Sequence, residues 1–297
     1  MEQQGPADPA PRWRPLELHS EVGEPIVVRD DHYSDRIRYD HPTVLDGAEL
    51  GRVLLHAATE RGRGRVVVLC RESLASGLQR QGFWLEADIP GFYGGEEDCM
   101  ILGGSPTGRP PLADPERVAE VDGLVAHYSR WVDPPAAPTV KARRGDSAAI
   151  AALAEDAVTY YPTPSGHPGY IEAKLAGGTP LRVVRDEGEV VASACADLDV
   201  FAAAAELTDC FTAPSHRRRG LMRALLCDLL QDLSELDYTT AYTLCRATSP
   251  GINLAFKGLG FGFRGRMLRS CRIGEGLEDM NVWSRTIPRE PRQWRKK

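Results

Sequence analysis

Ala205-Glu-Leu-Thr-Asp-Cys-Phe-Thr-Ala-Pro-Ser-His-Arg-Arg-Arg-Gly-Leu-Met222 is the stretch whose reading decides the fold. Its first half, 205–212, is a strand by pattern. Pro214 ends that strand, three arginines and Gly220 follow, and 219–233 carries Leu221, Leu225, Cys227, Leu229 and Leu233 at helical spacing. A strand that turns sharply into a long helix aims several main-chain N–H groups at one spot, and such a helix start favours an anion. Arg217, Arg218 and Arg219 add positive charge where it opposes the helix macrodipole, so a compensating anion is expected. Gly220 has no Cβ and leaves the main chain open to a phosphate.

Around this centre the order of elements is regular. We read strands at 139–143, 181–185, 190–197, 238–245 and 262–273, and helices at 146–158, 168–175 and 251–259. Upstream, 65–70 is a buried strand and 72–81 a helix ending at Gly82. The Gly- and Pro-rich loop 103–115 follows, and Asp114 with Pro115 starts a helix over 116–132. This pattern predicts an α/β protein with a mixed sheet. We divide it into a partly ordered segment 1–25, an α/β unit 26–133, a linker 134–138, a second unit 139–287 and a basic tail 288–297. A weak echo links the halves. Arg80-Gln-Gly-Phe83 precedes Glu97-Asp-Cys-Met100, as Gly258-Leu-Gly-Phe261 precedes Glu278-Asp-Met-Asn281, which suggests a duplicated half-unit.

Composition narrows the function. The 297 residues are 42% hydrophobic and 26% charged with a net charge of −6, which argues against a nucleic-acid binder. No apolar run is long enough for a membrane helix, and the opening residues lack the basic and apolar regions of a secretory leader. The seven cysteines form no CxxC pair, which fits reduced thiols and a cytoplasmic protein. The seven histidines show no metal-ligand spacing, so no metal is expected. Gly260-Phe-Gly-Phe-Arg-Gly265 matches GxGxxG, but a helix precedes it and a strand follows. That is the reverse of a dinucleotide fingerprint, and we read it as a helix end.

The order strand, Pro214, Arg217-x-x-Gly220-x-Met222, long helix, strand, then Asn253-x-x-Phe256-x-x-x-Gly260-Phe261, resembles the GNAT acetyltransferases over 139–273. The family's pyrophosphate loop is Gln/Arg-x-x-Gly-x-Gly/Ala; Met222 departs from it. A narrower resemblance, from about residue 30 onward, is to the β-lysine N6-acetyltransferases. It rests on Asp35-Arg-Ile-Arg38, Gly82-Phe-x-x-Glu86, Tyr160-Tyr-Pro-Thr-Pro164, Glu206-Leu-Thr-Asp209, Tyr242-Thr-Leu-Cys-Arg-Ala247, Gly251-Ile-Asn253 and Glu278-Asp-Met-Asn-Val-Trp283. The resemblance implies a GNAT fold in the C-terminal half, with acetyl-CoA as co-substrate. It implies contacts to the coenzyme from Phe211, Thr212, Arg217, Arg218, Arg219, Gly220, Leu221, Met222, Asn253 and Phe256. It further implies transfer of acetyl to the side-chain amine of β-lysine, giving a compatible solute, with a lysine 2,3-aminomutase as pathway neighbour. Two alternatives stand beside it: a GNAT enzyme for another small amine, or a non-catalytic acetyl-CoA-binding regulatory module. The latter is motivated by Met222 and by Phe256, which stands where many relatives place a tyrosine acid. For residues 26–138 three roles stay open: a degenerate GNAT-like half, a dimerising surface serving a homodimer, or part of the substrate pocket.

The chemistry requires a base, because an aliphatic ammonium with a pKa of about 10.4 must lose a proton before it attacks a thioester. Glu206 lies eleven positions before Arg217, as the catalytic glutamate does in part of the GNAT family. Asp209 is the rival, or a ligand for the substrate ammonium. On a regular strand the two face opposite sides, unless a bulge intervenes. For the substrate, Arg246 is the candidate partner of a carboxylate, and Tyr160, Tyr161 and Tyr170 are candidates for an aromatic wall.

Overall fold

A computed structural model of the chain describes residues 12–20, 25–40, 45–129 and 132–288. The first half comprises β1 (Arg14–Leu18), β2 (Ile26–Asp31), β3 (Arg36–Tyr39), α1 (Gly47–Arg61), β4 (Arg65–Arg71), α2 (Glu72–Arg80), β5 (Trp84–Tyr93), β6 (Glu97–Gly104) and α3 (Pro115–His127). The second comprises β7 (Thr139–Lys141), α4 (Ser147–Ala157), α5 (Pro168–Ala176), β8 (Leu181–Asp186), β9 (Glu189–Asp199), β10 (Ala204–Thr212), α6 (Leu221–Glu235), β11 (Thr240–Arg246), α7 (Pro250–Gly258), β12 (Gly262–Ile273) and β13 (Gly276–Thr286).

Local chemistry accounts for these elements. Every residue from Arg65 to Cys70 is buried, as a strand covered on both faces requires. α3 starts where Asp114 accepts from the Arg117 amide at 3.0 Å, with Pro115 in its first turn. α6 lays Leu225, Leu226, Leu229, Leu230 and Leu233 on the sheet, all fully buried. The structure adds six strands to those read from the sequence: β1, β2, β3, β5, β6 and β13. β1 lies within the segment expected to be only partly ordered, and pairs with β2. β13 follows β12 across a tight turn at Gly274, so 262–273 is not the final strand. The expected helix over 116–132 stops at His127. Of the basic tail, all but Pro288 lies outside the described residues.

The strands form one mixed sheet in the order β1-β2-β3-β4-β6-β5-β12-β13-β11-β10-β9-β8-β7. Its two halves repeat one topology. In each, two antiparallel steps (β1-β2-β3 and β8-β9-β10) lead to a parallel pair (β3-β4 and β10-β11). A long helix, α1 or α6, bridges that pair. A short helix and a hairpin follow, and the hairpin's second strand sits beside the parallel pair. The hairpins meet where β5 pairs with β12 at Ala87 and Gly265. Gly265 has φ +146°, and a Cβ there would lie 2.1 Å from the Glu86 carbonyl oxygen. The third glycine of GxGxxG therefore serves the seam between the halves.

The halves differ at the parallel pair. β3 and β4 are paired along the whole of β3, from Arg36↔Arg65 to Tyr39↔Val68. β10 and β11 pair only at Ala204↔Thr240, Ala205↔Ala241 and Glu206↔Tyr242. A bulge between Thr208 and Phe211, with Asp209 at φ +48°, bends the rest of β10 away. The helices that follow these strands also differ. Asp46 caps α1 by accepting from the amides of Ala48 and Glu49 at 2.8 and 2.9 Å. Gly220 stands at the N-cap of α6, which no side chain caps.

Candidate active site

The opened strands flank a cavity of about 290 Å³, lined by Glu206, Thr208 and Cys210 of β10 and by Leu244 and Arg246 of β11. A second cavity of about 550 Å³ reaches Tyr93 and Phe201 on the other side. The two share Arg29, Arg38, Asp197 and Glu206. Glu206 is half-buried at this junction. Burial pushes its carboxyl above the ordinary range, and the Arg38 guanidinium partly offsets the effect. The Tyr242 hydroxyl stands 3.5 Å from Glu206 Oε2. Burial also raises the Tyr242 phenol, so it stays protonated and aimed at the carboxylate.

Asp209 is differently employed. It is buried, and its Oδ1 accepts from Thr163 Oγ1 at 3.0 Å and Ser165 Oγ at 3.1 Å. Its Oδ2 accepts from Lys174 Nζ at 2.8 Å, with the Tyr170 hydroxyl at 3.4 Å. The protein thus supplies its own ammonium to this carboxylate. Lys174 also bonds Asp197 at 2.7 Å. The cluster ties α5 and the 160–165 loop to the bulge. Asp209→Asn leaves Lys174 short of a buried partner, at a cost of about 3 kcal/mol. Urea denaturation reads that loss, and we expect a smaller fall in kcat than from any change at Glu206.

The tyrosines separate by role. Tyr161 lines the cavity and packs edge-on against Phe211, with ring centroids 5.1 Å apart. Tyr160 is 50% exposed and does not line either cavity. Tyr170 serves the Asp209 cluster, with its ring 5.0 Å from Lys174 Nζ. Of the three tyrosines, Tyr161 alone lines the cavity beside the split strands. The Phe211 ring is fully buried in the cluster around α4, and neither Phe211 nor Thr212 lines the cavity.

At the start of α6, Arg218 and Gly220 both adopt left-handed backbone, with φ +65° and +75°. The first amides of a helix have no intrahelical partner, and Leu221 and Met222 stand at that position, half-buried against the core. Arg217 Nε donates to the Thr212 carbonyl at 3.3 Å. Arg219 lies 3.6 Å from Asp186, which also bonds His216 at 2.9 Å. Part of the expected compensating anion is thus the protein's own, while Arg217 and Arg218 stay exposed.

Asn253 and Phe256 do not line the cavity. Asn253 is fully buried, and its Nδ2 donates to the carbonyls of Arg246 and Ser249 at 2.9 and 2.7 Å. Its Oδ1 accepts from Asn281 Nδ2 at 2.8 Å and Trp283 Nε1 at 2.9 Å. Phe256 is fully buried, edge-on to Phe261 at 5.0 Å. Ser249 and Ile252, at the start of α7, line the cavity instead. The Glu278-to-Trp283 motif is accordingly structural apart from Met280, which lines the cavity. Asn281 and Trp283 lock α7 to β13, and Asp279 accepts from the amides of Ala113 and Arg269 at 2.8 and 2.7 Å.

Sequence reasoning missed Arg29 and Arg38 as site residues. Asp35-Arg-Ile-Arg38 was visible, with two cations on one strand face, but nothing local indicated that β2 and β3 would border a cleft built by β10 and β11. Among the described residues, no group of three His, Cys, Asp or Glu side chains is arranged to hold a metal ion. Nor is any described helix long and apolar enough to cross a membrane.

A parallel strand pair split by a bulge, leading into a helix that starts on glycine with open amides, defines the fold of acyl-CoA-dependent N-acetyltransferases. Residues 150–261 match the model of the acetyltransferase (GNAT) family. It is 42% identical over 150 residues to a β-lysine N6-acetyltransferase of Methanosarcina mazei, covering 50% of this chain and 54% of the relative. A β-lysine N6-acetyltransferase of Methanococcus maripaludis is 28% identical over 123 residues, covering 41% of this chain and 45% of its own. The match therefore spans about half the length of these two relatives. The N-acetyltransferase YodP of Bacillus subtilis is 27% identical over 270 residues, covering 89% of this chain and 97% of its own.

Proposed function

We propose that this protein transfers the acetyl group of acetyl-CoA to the side-chain amine of β-lysine, giving N6-acetyl-β-lysine. The observation that carries the reading is Glu206, a half-buried carboxyl raised above its ordinary range where two cavities meet beside the split strands. The 42% identity to the Methanosarcina relative supports the choice of amine.

The residues present fit the coenzyme. The uncapped amides at the start of α6, with Arg217 and Arg218 beside them, suit a diphosphate. The gap between β10 and β11 suits an extended, narrow arm. When bound, acetyl-CoA supplies an acetyl group activated as a thioester. Glu206 takes the proton from the substrate ammonium, and Tyr242 holds the carboxylate in place by donating to it. The freed amine forms the new C–N bond as the C–S bond breaks, and the thiol is an adequate leaving group near its pKa of about 8.5. Acetylation removes one of β-lysine's two positive charges and leaves a neutral zwitterion, the charge state expected of a compatible solute. An aminomutase moving an amino group from the α to the β carbon of lysine is the class of reaction that supplies the substrate. The seven free thiols fit a reducing, cytoplasmic setting.

The test is CoA release by the purified protein across a panel of diamines and amino acids. β-Lysine is expected to give the highest kcat/KM; equal turnover of unrelated amines overturns the choice of substrate. A second expectation concerns the N-terminal half. Its parallel pair is closed and its α1 start is occupied by Asp46. Calorimetric titration is therefore expected to give one acetyl-CoA per chain, and a stoichiometry of two sinks that reading.

A further inference from the structure

Arg29 of β2 and Arg38 of β3 stand directly opposite each other on an antiparallel ladder, a placement that is unfavourable for like charges. Asp40 is near both: Arg38 Nε donates to its Oδ2 at 3.0 Å, and Arg29 Nη2 lies 3.4 Å from the same oxygen. One carboxylate oxygen thus serves two guanidinium groups. The Arg38 side chain is only 12% exposed, while that of Arg29 is 38% exposed. The Arg29 guanidinium lies over the Trp13 ring, 5.2 Å from its centroid, which steadies its plane. Other cations near the junction are matched: Arg36 pairs with Asp31 at 2.9 Å, and Lys174 with Asp197 and Asp209. Arg246 lines only the cleft between the split strands, which the coenzyme arm fills in the reading above. Arg29 and Arg38 line both cavities that meet at Glu206.

We propose that Arg29, backed by Arg38, binds the carboxylate of the amine substrate, so that the N-terminal half forms the specificity wall of the site. Asp40 and Glu206 face Arg38, and a carboxylate there would meet the more exposed Arg29 in the bidentate geometry that arginine favours. The proposal rests on the acetyltransferase reading and deepens it. It selects amines with a carboxylate at the end remote from the one acetylated, and it moves that role from Arg246 to Arg29.

The experiment compares kcat/KM for β-lysine with that for 1,4-diaminopentane, the same molecule without its carboxylate. The wild type is expected to prefer β-lysine roughly 100-fold, the worth of a charged, bidentate contact. In Arg29→Ala the ratio falls to within a few-fold of one, chiefly through KM for β-lysine, and Arg29→Lys restores part of it. Unchanged acetyl-CoA affinity by calorimetry reports that these variants are folded. A ratio that survives in Arg29→Ala overturns the clamp. A wild type that acetylates both diamines equally also overturns it, while leaving acetyl transfer standing. If no amine is acetylated, the proposed function falls, and β-lysine affinity by calorimetry then reads the clamp alone: equal affinity in wild type and Arg29→Ala rejects it.

Discussion

Glu206→Gln lowers kcat with β-lysine by two to four orders of magnitude, the usual worth of a positioned general base, while acetyl-CoA binds as before. The glutamine keeps the shape of the side chain and its contact with Tyr242, but takes no proton from an ammonium. Because burial raises the Glu206 carboxyl, the pH profile of kcat/KM should fall on the acid side with a midpoint above the ordinary glutamate value of about 4.3. The same shift has an opposite consequence for stability. A carboxyl that binds its proton more tightly in the folded than in the unfolded state stabilises the fold below the unfolded pKa. That contribution is lost as pH rises through the folded value. Glu206→Gln should therefore raise the thermal midpoint at pH 7 to 8, with a gain that shrinks toward pH 4. A variant with near-normal turnover removes Glu206 from the role of base. An inactive variant with no thermal gain at neutral pH shows that burial does not strain the carboxyl.

The fold was legible where period and punctuation agreed. Strand, Pro214, arginines, Gly220 and leucine spacing at 205–233 yielded β10, the turn and α6 nearly as they stand. What escaped was long-range. β1 is short and mostly exposed, so it has no apolar alternation to show. β13 has the buried run Asp279–Ser284, and its side chains are divided between polar locks and core, which read as a motif instead of a strand. The bulge at Asp209 decides which carboxylate faces the cleft, yet the partners that hold Asp209, namely Lys174, Thr163 and Ser165, are dozens of residues distant in sequence. Asn253 shows the opposite failure. Its family position suggested a ligand contact, but the buried oxygen is held by Asn281 and Trp283.

The duplicated topology explains why the site is asymmetric. The halves share their strand and helix order, but only in the second is the parallel pair split by a bulge and the long bridging helix left without a side-chain cap. In the first half, Gly47 of α1 approaches α2 so closely that a Cβ would sit 2.1 Å from the Leu74 carbonyl oxygen. Helices in backbone contact leave no room between them, and the zipped β3-β4 ladder leaves none below. What that half offers is a wall of arginines whose cross-strand repulsion is tolerable only beside anions. Pairing β3 with β4 along its length also fixes Arg36 and Arg38 on one face.

Gly220→Val should abolish measurable acetyl-CoA binding, raising Kd at least 100-fold, equivalent to about 3 kcal/mol. Two effects combine. The residue has φ +75°, a region costing a β-branched side chain roughly 1–3 kcal/mol. A Cβ there would also stand 3.0 Å from Pro135 Cγ and 3.3 Å from Arg223 Nη2. Relief requires the turn to shift, and the turn is what aligns the amides of Leu221, Met222 and Arg223. Gly220→Ala meets the same contacts without the branch and should lose affinity less. The lesion differs in kind from that at Glu206: it appears in the KM and Kd for acetyl-CoA, whereas Glu206→Gln appears in kcat. Unchanged coenzyme affinity in Gly220→Val, with the variant folded, means that the start of α6 is not where the diphosphate is held. The assignments of Arg217 and Arg218 then fail with it, but Glu206 is still tested by its own variant.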